Sequence, residues 1–172
     1  VGMYMHKLAD KGGVTYFSDS QSAYNDLDDE TKAICKKIKS KVVTYDAMNK
    51  LGAMHSNIFY DIKTMMEYRD IDGLPAYKKQ LNRKDVVTIN PHNKKEGLYF
   101  PWTVIRGFTG MPKDDSKDLY YKLKEHTMQE KYIYRHEWQP YDIVLSDQHH
   151  SLHKRDSYEG NRELWRSSIW VN

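Results

Sequence analysis

Short runs in which apolar and polar residues alternate dominate the chain and predict a protein built mainly from β-strands. Residues 2–8 alternate in this way, and a second run at residues 14–17 follows the turn at residues 11–13. Residues 130–138 alternate with aromatic side chains on both faces, which is typical of a strand inside a sheet. Further strands are predicted at residues 42–45, 85–90, 97–100, 102–106, 142–146, 151–154 and 162–170.

Helical periodicity is confined to a few segments. A short helix is predicted to begin within residues 18–23, and Asp28 is a suitable N-cap for a helix over residues 30–40. A longer helix is predicted over about residues 114–129. Residues from about 46 to 84 have no clean period, so we expect them to form a variable insertion or lid rather than a second domain.

Composition and charge exclude several classes of protein. The chain has 172 residues, 27 basic and 24 acidic, with the charges interspersed, so we expect no nucleic-acid partner. An RNA-binding function for the basic and aromatic residues 131–138 stays open as a minor alternative. The single cysteine, Cys35, cannot form an intrachain disulfide, which suits a cytoplasmic protein. We expect its thiol to be a buried side chain, and a role as a nucleophile is the alternative. No apolar run approaches a membrane span.

The last part of the chain carries the residues that indicate chemistry. The run Trp138-Gln139-Pro140-Tyr141-Asp142 predicts a tight turn, and His153 follows on a predicted strand. Arg162 comes nine residues after His153, and Arg166 would share its face of a strand about 13 Å away. A histidine can bind a metal, and a guanidinium can clamp a carboxylate with two parallel hydrogen bonds.

These motifs resemble those of the taurine dioxygenase family of iron(II)/2-oxoglutarate oxygenases. The turn at residues 138–142 is similar to the family's Trp-x-Pro-Gly-Asp, with Tyr141 in place of glycine. The family's Gly-Gly-x-Thr motif stands here as Gly12-Gly13-Val14-Thr15. The middle segment, residues 90–111, is also similar, and the resemblance is weakest from about residue 46 to 84.

The resemblance implies a fold, an activity and a set of site residues. The fold would be mainly β with flanking helices, a double-stranded β-helix (jelly roll) that is incomplete at its N-terminal end, as one domain over residues 1–172. His153 would be the second metal histidine, Thr15 and Arg162 would hold the distal carboxylate of 2-oxoglutarate, and Arg166 would bind an anionic group of the substrate. The implied reaction is iron(II)- and 2-oxoglutarate-dependent oxidation of a small molecule, with succinate and carbon dioxide as co-products.

One half of the implied metal site is absent from the sequence. Enzymes of this type bind iron through two histidines and one carboxylate, but no histidine here is followed at the second place by Asp or Glu. We therefore expect the chain to be the C-terminal part of a longer enzyme. A non-catalytic relative that binds a ligand or partner, and a halogenase-like relative, are the alternatives.

Simpler structural roles also remain open for the candidate residues. Thr15 can be an ordinary strand former, Arg162 a surface charge, and Arg166 one half of a structural ion pair. A zinc site built on His149, His150 and His153 is disfavoured, because three ligands on one strand do not converge. The expected partner is a small-molecule substrate, and a homo-oligomer is left open.

Overall fold

The computed structural model describes residues 1–43 and 81–168, and it groups the chain into two compact units. The first unit comprises Val1–Asn25, Ile89–Gly97 and Thr127–Asn172, and the second comprises Asp26–Thr88 and Leu98–His126. Within the described ranges the chain is mainly β with few helices, which confirms the predicted class. The strands are β1 (Gly2–Lys7), β2 (Lys11–Gly12), β3 (Thr15–Asp19), β4 (Lys39–Val43), β5 (Leu81–Asp85), β6 (Val87–Ile89), β7 (Glu96–Leu98), β8 (Ile105–Phe108), β9 (Ile133–His136), β10 (Ile143–Leu145), β11 (Ser151–Arg155), β12 (Tyr158–Glu159) and β13 (Glu163–Ser167), and the α-helices are α1 (Ser20–Asn25), α2 (Asp29–Lys37) and α3 (Lys113–Thr127).

Two antiparallel three-stranded sheets form the frame of the first unit. In the β1 sheet, β1 lies between β10 and β13; in the β3 sheet, β3 lies between β11 and β9. Met3 pairs with both Val144 and Arg166, and Met5 pairs with Leu164. Because directly opposed residues point to the same face of a sheet, Leu164 and Arg166 lie on the face of β1 that carries its two methionines.

The inner faces of these two sheets share one apolar core. Val1, Met3 and Met5 from the start of the chain pack with Phe17 of β3 and with Trp138, which follows β9. All five residues are at least nine-tenths buried. The strand alternation therefore has a direct cause, since each strand turns every second side chain into this core.

The second unit joins a three-stranded antiparallel sheet, in which β4 lies between β5 and β8, to helices α2 and α3. Asp28 caps α2 as predicted, and its side chain accepts the backbone N–H of Thr31 at 2.7 Å. Cys35 on α2 is fully buried, and burial raises the pKa of its thiol to about 12. The thiol is therefore a packed side chain, as the apolar pattern indicates, and its high pKa disfavours the nucleophile alternative.

Local predictions fail where tertiary pairing overrides the pattern. Helix α2 ends at Lys37 rather than at residue 40, because Ile38 is extended and leads directly into β4. Residues Trp102–Val104 and Glu130–Tyr132 form 3-10 turns instead of strands. The N–H of Val104 donates to the carbonyl of Pro101 at 3.0 Å, and the N–H of Tyr132 donates to the carbonyl of Gln129 at 3.0 Å.

The predicted insertion at about residues 46–84 lies outside the described residues except for its last positions, which belong to β5. Within the described part of the chain, no helix is long and apolar enough to cross a membrane.

Candidate active site

The turn at Gly12 and Gly13 has a backbone that other residues adopt only under strain. Both glycines have positive φ angles, +74° and +82°. A Cβ atom on Gly12 would lie 2.5 Å from the carbonyl oxygen of Ser157, and one on Gly13 would lie 3.2 Å from Nε of Arg162. Glycine is therefore needed here both for the turn and for the close approach of the loop that follows β11.

Backbone hydrogen bonds tie that loop to the glycine turn. Strand β12 pairs with β2, so that Tyr158 lies opposite Gly12. The N–H of Gly13 donates to the carbonyl of Ser157 at 3.1 Å, and the N–H of Asp156 donates to the carbonyl of Val14 at 3.0 Å. These contacts bring the two distant ends of the chain together and set the side chain of Arg162 against Gly13.

A cavity of about 280 Å³ opens beside this turn, within the first unit. Arg162 contributes its half-buried guanidinium to the lining. Burial lowers the pKa of Arg162 below its ordinary value, and the nearby charge of Arg155 lowers it further. The other lining residues are Met5, Leu8, Ala9, Asp10, Lys11, Gly12, Gly13, Val14, Glu137, Trp138 and Gln139.

Thr15 is joined to the cavity wall through Trp138. The indole N–H of Trp138 donates to the hydroxyl oxygen of Thr15 at 2.8 Å, and both side chains are buried. A threonine hydroxyl can accept this bond and still donate its own proton. Thr15 itself does not line the cavity, but this hydrogen bond fixes the face that Trp138 presents to it.

His153 lies on the same inner face, farther along the β3 sheet. It is paired in register with Phe17, a core residue, and the two ring centroids are 6.0 Å apart. Partial burial of the imidazole lowers the pKa of His153, and the charge of Arg166 lowers it further. A neutral imidazole is the form that binds a metal. His153 does not line the cavity of Arg162.

Arg166 extends from β13, on the face that it shares with Met3. It is exposed, and its charge is felt at His153. Among the described residues it has no carboxylate within 4 Å, so the structure provides no ion pair for the structural alternative.

In the turn after Trp138, Tyr141 occupies the position where the family motif has glycine. Tyr141 has a positive φ of +70°, which is the conformation that favours glycine. Its N–H donates to the carbonyl of Met5 at 2.9 Å, and the Asp142 carboxylate accepts the N–H of Gln139 at 2.8 Å. These hydrogen bonds hold the turn with a tyrosine in the left-handed conformation.

The three histidines of the zinc alternative do not form a group of metal ligands. His149 and His150 both precede β11, so they are not on the strand that carries His153. His150 is buried against Gly97, where an added Cβ would lie 2.5 Å from its ring, whereas the ring centroid of His149 lies 6.5 Å from that of His92. The described residues contain no group of three potential metal ligands.

Two residues that the sequence analysis did not single out lie at this site. Arg155 is paired in register with Thr15 on the β3 sheet, and its guanidinium lies 4.3 Å from the ring centroid of Tyr158. The period of two in a strand could have found Arg155, since it lies two residues after His153. Tyr158 gave no local signal, because its place depends on the pairing of β12 with β2.

Comparison with known proteins agrees with this geometry. Residues 1–168 match the model of the family described as "Taurine catabolism dioxygenase TauD, TfdA family". The chain is 25% identical over 160 residues to the (S)-phenoxypropionate/alpha-ketoglutarate-dioxygenase of Sphingobium herbicidovorans, covering 92% of this chain and 52% of that protein. It is 26% identical over 164 residues to the alpha-ketoglutarate-dependent 2,4-dichlorophenoxyacetate dioxygenase of a Burkholderia species (strain RASC), covering 94% and 50%.

Solved structures show the same fold. The chain superposes on AAD-2 in complex with Mn(II) and N-oxalylglycine with a TM-score of 0.73 and 23% identity, covering 95% of this chain and 58% of that one. A taurine dioxygenase from Burkholderia xenovorans gives a TM-score of 0.69 and 14% identity, covering 95% and 49%. The chain thus spans about half the length of the curated relatives that it matches. By the family model that matches nearly all of it, the chain belongs to the TauD/TfdA family.

Proposed function

We propose that this chain forms the co-substrate-binding part of an iron(II)- and 2-oxoglutarate-dependent oxygenase, and that Arg162 grips the distal carboxylate of 2-oxoglutarate. The observation that carries the proposal is the cavity in which Arg162 lies against the Gly12–Gly13 turn and beside Trp138. The relatives named as alpha-ketoglutarate dioxygenases support the same co-substrate.

The chemistry of the cavity suits a carboxylate. A guanidinium offers two parallel N–H donors, and charge-assisted bonds of this kind are about twice as strong as neutral ones. Among the described residues no carboxylate lies within 4 Å of Arg162, so its donors are not committed to an internal ion pair. Half-burial of the Arg162 side chain removes part of the water that competes for the carboxylate.

Thr15 does not line the cavity, so its proposed part in binding this carboxylate is to hold Trp138, which does line it. Its hydroxyl oxygen accepts the Trp138 N–H at 2.8 Å, and both side chains are buried. The bond would therefore fix the wall against which the carboxylate binds.

The described residues fit iron only in part. His153 offers one imidazole on the face that it shares with Phe17, at an exposed position, and the lowering of its pKa favours the neutral form that binds a metal. Iron in such a site needs two more protein ligands, and the described residues contain no group of three potential ligands that includes His153. We therefore assign His153 as a candidate metal ligand and assign no reaction step to it.

The same proposal includes the fold and the substrate class. We propose that the two facing sheets of the first unit belong to a double-stranded β-helix, and that the whole chain works as one oxygenase domain. The substrate would be a small molecule with an anionic group held by Arg166, because this exposed cation shares the inner face and has no acidic neighbour among the described residues. The named substrates of two relatives, phenoxypropionate and 2,4-dichlorophenoxyacetate, are carboxylates.

Calorimetric titration of 2-oxoglutarate into the chain tests the assignment of Arg162. Loss of a charge-assisted bidentate contact in Arg162→Gln should weaken binding by about tenfold to a hundredfold. Arg83→Gln is the matched control: it removes the same charge from an exposed arginine on β5, outside the residues that line the cavity. Equal affinities for the wild type and Arg162→Gln would contradict the proposal.

A further inference from the structure

Arg155 ends strand β11 on the same face as Thr15, its partner in register. Its guanidinium carbon lies 4.3 Å from the ring centroid of Tyr158, and that of Arg162 lies 5.9 Å from the same centroid. One aromatic ring therefore lies near two guanidinium groups, one from the end of β11 and one from the loop that precedes β13.

Neither guanidinium is neutralised within the described part of the chain. No carboxylate lies within 4 Å of Arg155 or Arg162, and the charge of Arg155 lowers the pKa of Arg162. Like charges repel, and the electron-rich face of a tyrosine compensates only part of that repulsion. An anion bound to both guanidinium groups would offset the rest.

The backbone holds this pair in place. Tyr158 is fixed by the pairing of β12 with β2, and its Cβ would lie 3.5 Å from a Cβ on Gly13. Glycine at that position lets Tyr158 and Arg162 pack directly on the turn. Backbone pairing therefore fixes the ring that both guanidinium groups approach, although Arg155 and Tyr158 are themselves exposed and lie outside the lining of the cavity.

We propose that Arg155 is a second carboxylate-binding residue, and that Arg155 and Arg162, held by the ring of Tyr158, form a two-arginine clamp on the distal carboxylate of the co-substrate. The inference rests on the proposed function, since it concerns the same ligand. Arg162 by itself already favours a 2-oxo dicarboxylate over a 2-oxo monocarboxylate, and the second cation would strengthen that preference.

Calorimetric titration of the chain with 2-oxoglutarate and with 2-oxobutyrate tests the clamp. Arg155→Gln should weaken 2-oxoglutarate binding by about threefold to tenfold, because its guanidinium is more exposed than that of Arg162. It should leave 2-oxobutyrate binding unchanged and reduce the dependence of the 2-oxoglutarate affinity on salt concentration. Arg155→Lys, which keeps the charge, should recover part of the affinity.

Lys154→Gln is the matched control, because Lys154 is the preceding residue on β11 and its ammonium lies over Tyr16 instead. Tyr158→Ala is a second, independent variant: it leaves both charges but removes the ring that holds them, and it should also weaken binding, whereas Tyr158→Phe should not.

The outcomes separate the two proposals. If Arg162→Gln weakens binding while Arg155→Gln and Tyr158→Ala bind like Lys154→Gln, the clamp is wrong and the role of Arg162 stands. Equal losses for 2-oxoglutarate and 2-oxobutyrate in Arg155→Gln would also overturn the clamp, because they would indicate a general structural effect. Absence of 2-oxoglutarate binding by the wild type would overturn both proposals.

Discussion

Replacement of Gly13 by alanine perturbs the candidate site through a single methyl group. The backbone of Gly13 has a φ of +82°, so alanine there is strained by about 1–2 kcal/mol. The new methyl carbon would lie 3.2 Å from Nε and 3.4 Å from Cδ of Arg162, closer than the ordinary contact distance of about 3.5–4.0 Å. The guanidinium should therefore shift by a few tenths of an ångström, away from the position that meets the carboxylate.

The expected result has two parts. The free energy of unfolding should fall by about 1–2 kcal/mol from backbone strain, and the affinity for 2-oxoglutarate should fall by about threefold to tenfold, since a displaced guanidinium loses part of its charge-assisted bond. Urea unfolding followed by circular dichroism measures the first, and calorimetric titration measures the second.

Gly110→Ala separates strain from displacement. Gly110 also has a positive φ, +70°, but no atom of the described residues lies within 4 Å of a Cβ placed there. It should lose a similar amount of stability and keep its affinity for 2-oxoglutarate. If Gly13→Ala binds 2-oxoglutarate as tightly as Gly110→Ala does, the contact between Gly13 and Arg162 has no role in binding.

Two further predictions concern the buried threonine and the candidate metal histidine. Thr15→Val should lower the free energy of unfolding by about 1–3 kcal/mol, because the buried N–H of Trp138 loses its acceptor, whereas Thr15→Ser should retain the bond. A double-mutant cycle of Thr15→Val and Trp138→Phe, measured by urea unfolding, should show an interaction energy between the two residues. Strictly additive losses would refute the hydrogen bond at 2.8 Å. His153 should titrate in an NMR experiment below its ordinary pKa of 6.5, and Arg166→Gln should move that pKa upward. Because the pKa of His153 is lower in the folded state than in the unfolded state, the unfolded chain binds more protons between these two pKa values. This group therefore makes the free energy of unfolding rise with pH in that range, and His153→Asn should reduce the rise. An unchanged dependence on pH in His153→Asn, or an unchanged pKa of His153 in Arg166→Gln, would contradict these expectations.

Most of the strands could be predicted because one face of each is buried. Strands β1 and β3 turn Met3, Met5 and Phe17 into one core, so their alternation is strong and their bounds are nearly right. The segments Trp102–Val104 and Glu130–Tyr132 have similar residue types but are held as 3-10 turns by local backbone bonds. Periodicity cannot distinguish these cases when a segment is only three residues long.

The candidate site depended on two kinds of information. Gly13, Thr15 and Arg162 could be selected from motifs, because their residue types match the family, but their functional roles remain predictions. That Arg162 packs on Gly13 depends on the pairing of β12 with β2, which joins two distant parts of the sequence and leaves no local pattern. Arg155 was missed for the same reason, since its importance appears only when Tyr158 is seen beside it.

Tyr141 departs from the family motif at a position whose backbone conformation favours glycine. The sequence places tyrosine where the family has glycine, and the structure gives that residue a φ of +70°. The turn is held by backbone hydrogen bonds between Met5 and residues 141–142 and by the bond from the Gln139 N–H to the Asp142 carboxylate. A change of residue type at such a position therefore does not by itself remove the turn.

A crystal structure of this chain grown with 2-oxoglutarate tests the central claim most directly. The distal carboxylate should lie in the cavity beside Gly13, with its oxygens about 2.7–2.9 Å from the guanidinium nitrogens of Arg162. A ligand bound elsewhere, or a guanidinium of Arg162 that turns away from the bound carboxylate, would contradict it.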